Sequence, residues 1–210
     1  MEIRSLVSEA WRVGSQFDLS GIGYGRIHWG NRTDIDSEVQ PYYHFLAGMV
    51  RVLRAKRIIE IGTHQGGSAR AMAAGLFDPE NSRVVTFDPN PFAANLFTGH
   101  PVIRAYALDG NSETAIRMCR DDLGGMNADM TFIDSTHDFP STLHSWLLYA
   151  ELIRTPVIVL DDVTLNDSMR SLWSLIRERY AYSIDATEVE PGIRPCGDAR
   201  PGFGVVLTQQ

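Results

Sequence analysis

From Arg57 onward the chain alternates short, β-branched apolar runs with longer stretches whose apolar positions recur at helical spacing. The runs at 57–61, 83–87, 102–107, 130–133 and 157–160 are mostly apolar, as strands covered on both faces of a parallel sheet are. Helices are predicted between and after them at 68–77, 91–97, 112–123, 140–153 and 167–180, lengths that suit right-handed crossovers. Upstream, the pattern gives a helix at 3–13, a Gly-rich loop at 21–30 and a helix at 38–54. Downstream, 182–189 and 203–208 read as two strands joined by a loop with three prolines and three glycines. This rhythm predicts an α/β fold: a three-layer, doubly wound sheet, mostly parallel, with an antiparallel C-terminal edge pair.

Composition narrows the class. The chain has 210 residues, 44% hydrophobic and 21% charged, too apolar to stay disordered and sized for one main domain. Nineteen basic against 26 acidic residues give a formal net charge of -7, which argues against nucleic acid as a partner, since that needs a basic stripe. Cys119 and Cys196 stand far apart and form no CxxC, so neither a zinc site nor a disulfide framework is indicated, and a reducing cytoplasm is the expected setting. The N-terminal stretch is charged throughout and no later segment is apolar for long enough to span a bilayer, so no membrane partner is expected.

The first strand ends on an acid and runs through glycines into a helix: Glu60-Ile61-Gly62-Thr63-His64-Gln65-Gly66-Gly67-Ser68. Glycines there let the chain turn tightly and let a ligand approach the backbone, and the helix N-terminus offers free N–H groups. A phosphate-binding loop needs Lys beside the Ser, and a dinucleotide GxGxxG needs glycine at His64; both fit poorly. The second strand ends in Phe87-Asp88, which puts a carboxylate where it can accept hydrogen bonds from ribose hydroxyls, or else cap the next helix.

More acids end the fourth and fifth strands, at Asp134 and at Asp161-Asp162. In a doubly wound sheet the carboxyl ends of neighbouring strands face one crevice, so these three should converge beside Gly62. Carboxylates in close company repel and call for a cation; Mg²⁺ or another hard divalent ion suits an all-oxygen site. The plainer reading has Asp161-Asp162 capping a loop and Asp134 bonding backbone amides. His137 lies three residues past Asp134 and can turn toward the same crevice, with a pKa matched to neutral pH. The other histidines, His28, His44, His100 and His144, carry no ligand-type spacing.

The ordered set Glu60-x-Gly62, Gly66-Gly67-Ser68, Asp88, Asp134-x-x-His137 and Asp161-Asp162 resembles the class I S-adenosylmethionine-dependent methyltransferases. Within them it is similar to the metal-dependent small-molecule O-methyltransferases that modify catechols and macrolide sugars. The resemblance covers residues 40–210 and implies a Rossmann-like fold, with 1–37 as an N-terminal helix and lid or substrate segment and 38–210 as the cofactor-binding domain. It implies that Glu60, Gly62, Thr63 and Ser68, with Gly66 and Gly67, line the methionine end of the cofactor and that Asp88 holds the ribose. Asn111 and Ser112 resemble the stretch near the adenine, where the family usually shows Gly-Asp-Ser, and Asp134 reaches cofactor and metal alike. His64 in place of the second loop glycine, Asn111, and the missing Pro-Gly-Gly before the fifth strand are departures.

The resemblance further implies attack by a substrate hydroxyl on the sulfonium methyl, with Asp134, Asp161 and Asp162 holding Mg²⁺ and His137 taking the proton. Tyr24, His28 and Trp29 in the Gly-rich stretch, and Arg194 and Arg200 in the late loop, are the candidates for substrate contacts. Aromatics suit a phenol, sugar or macrocycle and arginines an acidic group; packing and solvated loops explain the same residues. The N-terminal helix and first loop are the segments available for a homodimer or higher homo-oligomer. A catalytically silent cofactor-binding or assembly module stays open as an alternative, and so, more weakly, does a nicotinamide-dependent oxidoreductase. No GxSxG elbow and no two-histidine, one-carboxylate triad is present.

Overall fold

A computed structural model describes residues 2–20, 22, 39–125, 127–194 and 201–209. The strands are β1 (Arg57–Ile61), β2 (Arg83–Asp88), β3 (Ile103–Ala107), β4 (Met130–Ile133), β5 (Val157–Asp161), β6 (Ser183–Asp185) and β7 (Phe203–Leu207), in the sheet order β3-β2-β1-β4-β5-β7-β6. The first five strands are parallel, and β7 runs antiparallel between β5 and β6. The C-terminal antiparallel pair is therefore present, with only β6 at the edge.

Helices α1 (Ile3–Gly14), α2 (Pro41–Leu53) and α3 (Gly67–Gly75) supply one core, together with Ile58, Val84, Phe132 and Val159 of the sheet. The other face, with Ile59, Ile61, Val85 and Leu160, packs against α4 (Glu113–Asp122), α5 (Phe139–Trp146) and α6 (Asp167–Arg179). Alternate residues of β1 thus feed opposite cores, which is why the run is apolar without period. α1 and α2 cross at Gly14 and Gly48: a Cβ on Gly48 would stand 1.8 Å from the Ala10 carbonyl oxygen. Leu6, Val7 and Ala10 of α1 lie in the same core as α2 and the sheet. The boundary expected near residue 37 falls outside the described residues.

Side-chain caps start the helices on the second face. Ser112 accepts from Ala115 N at 3.1 Å, Asp138 from Ser141 N at 2.9 Å and Asn166 from Met169 N at 2.9 Å. After Trp146, α5 widens into a π-helical turn, Leu147–Leu152, and the Tyr149 hydroxyl there donates to the Gly110 carbonyl at 2.6 Å. Two expectations change. The helix expected at 91–97 is a single 3-10 turn, Ala93–Asn95, because Asp88 and Asn90 side chains bond the backbone amides of Asn90 and Phe92 and divert the chain before a helix can nucleate. The strand expected at 182–189 stops at Asp185, whose carboxylate accepts from Thr187 N, Thr187 Oγ1 and Phe203 N and turns the chain. Among the described residues no helix is long and apolar enough to cross a membrane.

Candidate active site

Register brings the acids together. Ile61 of β1 pairs with Phe87 and with Ile133, and Ile133 pairs with Leu160. The next residues, Gly62, Asp88, Asp134 and Asp161, therefore stand side by side at the carboxyl edge. This is the switch point of the sheet, where β1 meets β4. A cavity of about 550 Å³ opens there, of a size suited to a small molecule or cofactor. It is lined by Ile61, Gly62, His64, Phe87, Asp88, Pro89, Asp109, Asn111, Asp134, Ser135, Thr136 and Ser141.

Of the residues expected around a cofactor, Gly62, Asp88, Asn111 and Asp134 line this cavity; Glu60, Thr63, Gly66, Gly67, Ser68 and Ser112 do not. Asp88 caps no helix. Its Oδ2 accepts from His64 N at 2.8 Å and its Oδ1 from Asn90 N at 2.8 Å. His64 takes the left-handed φ of 43°, the conformation a glycine would adopt without strain at this point of the loop. Asn111 Oδ1 accepts from Ser145 Oγ at 2.7 Å, which ties the end of β3 to α5. Asp109, one residue before Gly110, belongs to no motif in the sequence; its place just after the third strand is the only signal that points to it.

Glu60 is fully buried. Ser68 Oγ donates to its Oε1, and Thr86 Oγ1 donates to its Oε2 at 2.5 Å, so it braces the glycine loop against β2. Burial pushes its pKa up from 4.5 to about 8, against the downward pull of the two hydroxyls. The folded pKa is raised, so this carboxyl's contribution to stability is complete below about pH 4.5 and is lost as the pH climbs to about 8. Over that window stability is expected to fall by up to about 1.4 kcal/mol per pH unit. Glu60→Gln keeps an acceptor for Ser68 and should flatten the decline, which urea melts of both proteins between pH 5 and 8 will measure.

The acidic cluster lies beside the cavity. His137 Nε2 stands 3.3 Å from Asp134 Oδ1 and 3.7 Å from Asp162 Oδ2. Asp134, His137 and Asp161 each offer a ligand atom within 4.8 Å of the other two, an arrangement able to hold a metal ion. His137 thus takes the third place in this group, where the sequence pattern sets Asp162 with Asp134 and Asp161; Asp162 stands beside the group and outside it. Arg194 Nη2 bonds Asp161 Oδ1 and lies 3.4 Å from Asp162 Oδ1, so this guanidinium sits on the expected metal ligands. Three buried polar atoms here, Ser135 Oγ, His137 Nε2 and Asp162 Oδ1, have no hydrogen-bond partner among the described residues. Such orphans, with three carboxylates and an imidazole, fit a hard cation.

Burial and the charge of Asp161 push Asp134 up to about 7, against the pull of His137. Burial and Asp161 likewise push Asp162 up to about 6, opposed by Arg194 and His137. Burial works against charging His137, but Asp134 and its acidic neighbours outweigh it and raise the imidazole above 6.5. Both His137 and Asp162 hold positive φ, 53° and 56°, so the backbone is strained where the cluster forms. Tyr24, His28, Trp29 and Arg200 lie outside the described residues. His44 and His100 bond backbone groups, Gly14 O at 3.2 Å and Ile103 N at 3.1 Å, away from this site.

The sequence profile of a methyltransferase domain matches residues 59–163, from β1 through the end of β5 and both acidic strand ends. The chain belongs to this methyltransferase family. Solved structures of low identity share the methyltransferase's fold. An O-methyltransferase from Bacillus cereus in complex with SAH aligns with TM-score 0.57 at 19% identity, over 97% of this chain and 90% of that one. The O-methyltransferase TomG from Streptomyces achromogenes, in complex with SAM, aligns with TM-score 0.58 at 21% identity over 100% and 91%. The Podospora anserina methyltransferase PaMTH1, SAH-bound, gives 0.52 at 17% identity over 98% and 88%. No curated protein sequence matches the methyltransferase.

Proposed function

We propose that this methyltransferase uses S-adenosylmethionine, with the help of a divalent metal, to methylate a hydroxyl of a small molecule such as a phenol, a sugar or another natural product. The observation that carries the reading is one sheet edge where a cofactor-sized cavity with Asp88 on its wall meets the Asp134, His137 and Asp161 cluster. Structural neighbours bound to SAM or SAH support the cofactor, and TomG, which is involved in tomaymycin synthesis, supports the substrate class.

Bound S-adenosylmethionine would supply the electrophilic methyl group, and a divalent ion the charge that favours ionisation of the acceptor hydroxyl. Asp134 and Asp161, with Asp162 beside them, are the residues that would hold the ion. Asp88, oriented by its bonds from His64 N and Asn90 N, keeps lone pairs for ribose hydroxyls. His137 takes the hydroxyl proton at Nε2, where the neighbouring carboxylates stabilise the imidazolium. Gly62 lets the β1 loop lie against the backbone of Asp134, so cofactor and acids share one wall.

Calorimetry with S-adenosylmethionine and with NAD, each with and without Mg²⁺, tests the cofactor; binding of the first alone is expected. Release of S-adenosylhomocysteine from a panel of phenols and sugars should then need Mg²⁺ and stop with a chelator. Chelator-resistant turnover would contradict metal assistance, and tight binding without turnover on any acceptor would favour a silent module. Asp88→Ala should weaken S-adenosylmethionine binding by about tenfold or more, the cost of losing charged hydrogen bonds to the ribose. The same calorimetry checks it.

A further inference from the structure

We propose that the Arg194 guanidinium and the divalent ion are alternative occupants of the Asp161 and Asp162 carboxylates, so that ion binding must displace Arg194. The inference rests on the metal-assisted reading above and adds a control built into the chain itself.

One nitrogen, Nη2, bonds Asp161 Oδ1 and reaches to 3.4 Å from Asp162 Oδ1. A divalent ion seated on the same oxygens at about 2.0–2.6 Å would fall within contact distance of that nitrogen, and two cations do not share such a space. Exchange is the physical solution. The side chain is suited to it, because the guanidinium is not fully tied down: Arg194 Nε is buried and has no hydrogen-bond partner among the described residues. The guanidinium carbon also lies 4.3 Å from the Tyr42 ring centroid and 5.6 Å from that of Phe203. These faces hold a cation without help from Asp161, so a released guanidinium has somewhere to rest.

The arrangement has a purpose in charge terms. With no ion, Asp134, Asp161 and Asp162 crowd one edge, and breaking a buried pair by removing its cation is strongly destabilising. Arg194 supplies that cation until the metal arrives. In return the apparent affinity for metal falls by the fraction of molecules in which Arg194 has left the acids.

The test is Mn²⁺ titration calorimetry of the wild-type chain and of Arg194→Met, whose unbranched apolar chain still packs on Tyr42. The variant is expected to bind Mn²⁺ about tenfold more tightly. Its thermal midpoint should be lower than wild type without ion and should rise more when Mn²⁺ is added. Equal or weaker Mn²⁺ binding by the variant would overturn the exchange while leaving the metal reading intact. Binding by neither protein would overturn both. Should Arg194→Met fail to fold, arginine side-chain ¹⁵N spectra of the wild type give the second readout, with Arg194→Lys assigning the Nε–H signal. That signal should move on addition of Mg²⁺, and a signal that stays put would overturn the proposal.

Discussion

His137→Ala is expected to lower methyl transfer by about 10²- to 10⁴-fold while the protein still binds S-adenosylmethionine. The imidazole stands among the acids, with Nε2 at 3.3 Å from Asp134 and without a hydrogen-bond partner among the described residues. Its backbone is held in the left-handed region at φ 53°, and Asn166 Nδ2 donates to its carbonyl at 3.0 Å. Alanine at that φ adds strain, so His137→Asn is the matched variant: asparagine tolerates the conformation and carries no base. An equal loss of kcat in both variants assigns the defect to the missing imidazole. Mn²⁺ affinity separates its two conceivable roles, because loss of a proton acceptor leaves ion binding unchanged, whereas loss of a ligand weakens it. Wild-type turnover in His137→Asn would remove this residue from the reaction.

Gly62→Ala is expected to cost about 3 kcal/mol or more in stability and to abolish cofactor binding. The φ of 103° is one that a side chain resists, and a Cβ would stand 1.6 Å from the Asp134 carbonyl oxygen and 2.7 Å from its carbon. Both atoms are backbone, in the strand end that carries the candidate metal ligand, so neither can step aside without moving the site. A fall of about 6–12 °C in the thermal midpoint corresponds to that energy in a chain of this length. Gly99→Ala provides the contrast: its φ is also positive, at 75°, but a Cβ there meets nothing within 4 Å. It should lose only the conformational term, about 1 kcal/mol, and bind cofactor normally. Similar losses in both variants would show that strain alone, and not the close approach to Asp134, governs the loop.

The parallel core was legible because strands covered on two sides leave an unmistakable trace. The bounds 57–61 and 130–133 coincide with β1 and β4, and the acids at the ends of strands two, four and five, Asp88, Asp134 and Asp161, stand along one edge. Local competition was harder to see. Asp88 and Asn90 turn the chain with side-chain bonds that no periodicity reveals, and Asp185 ends β6 in the same way. The insertion of β7 between β5 and β6 depends on pairing between distant segments. The meeting of Arg194 with Asp161 also joins residues far apart in the chain, so it could not be read from spacing. The Asp134-x-x-His137 spacing did place the two side chains together, but it gave no sign that the imidazole would also approach Asp162.

The most direct measurement is an anomalous difference map from a crystal soaked with S-adenosylhomocysteine and Mn²⁺. The ribose is predicted on Asp88 and the manganese peak against Asp134 and Asp161, with Arg194 withdrawn from the acids. Cofactor bound away from the β1–β4 edge, or no manganese at those carboxylates, would contradict a metal-assisted methyl transfer at this site.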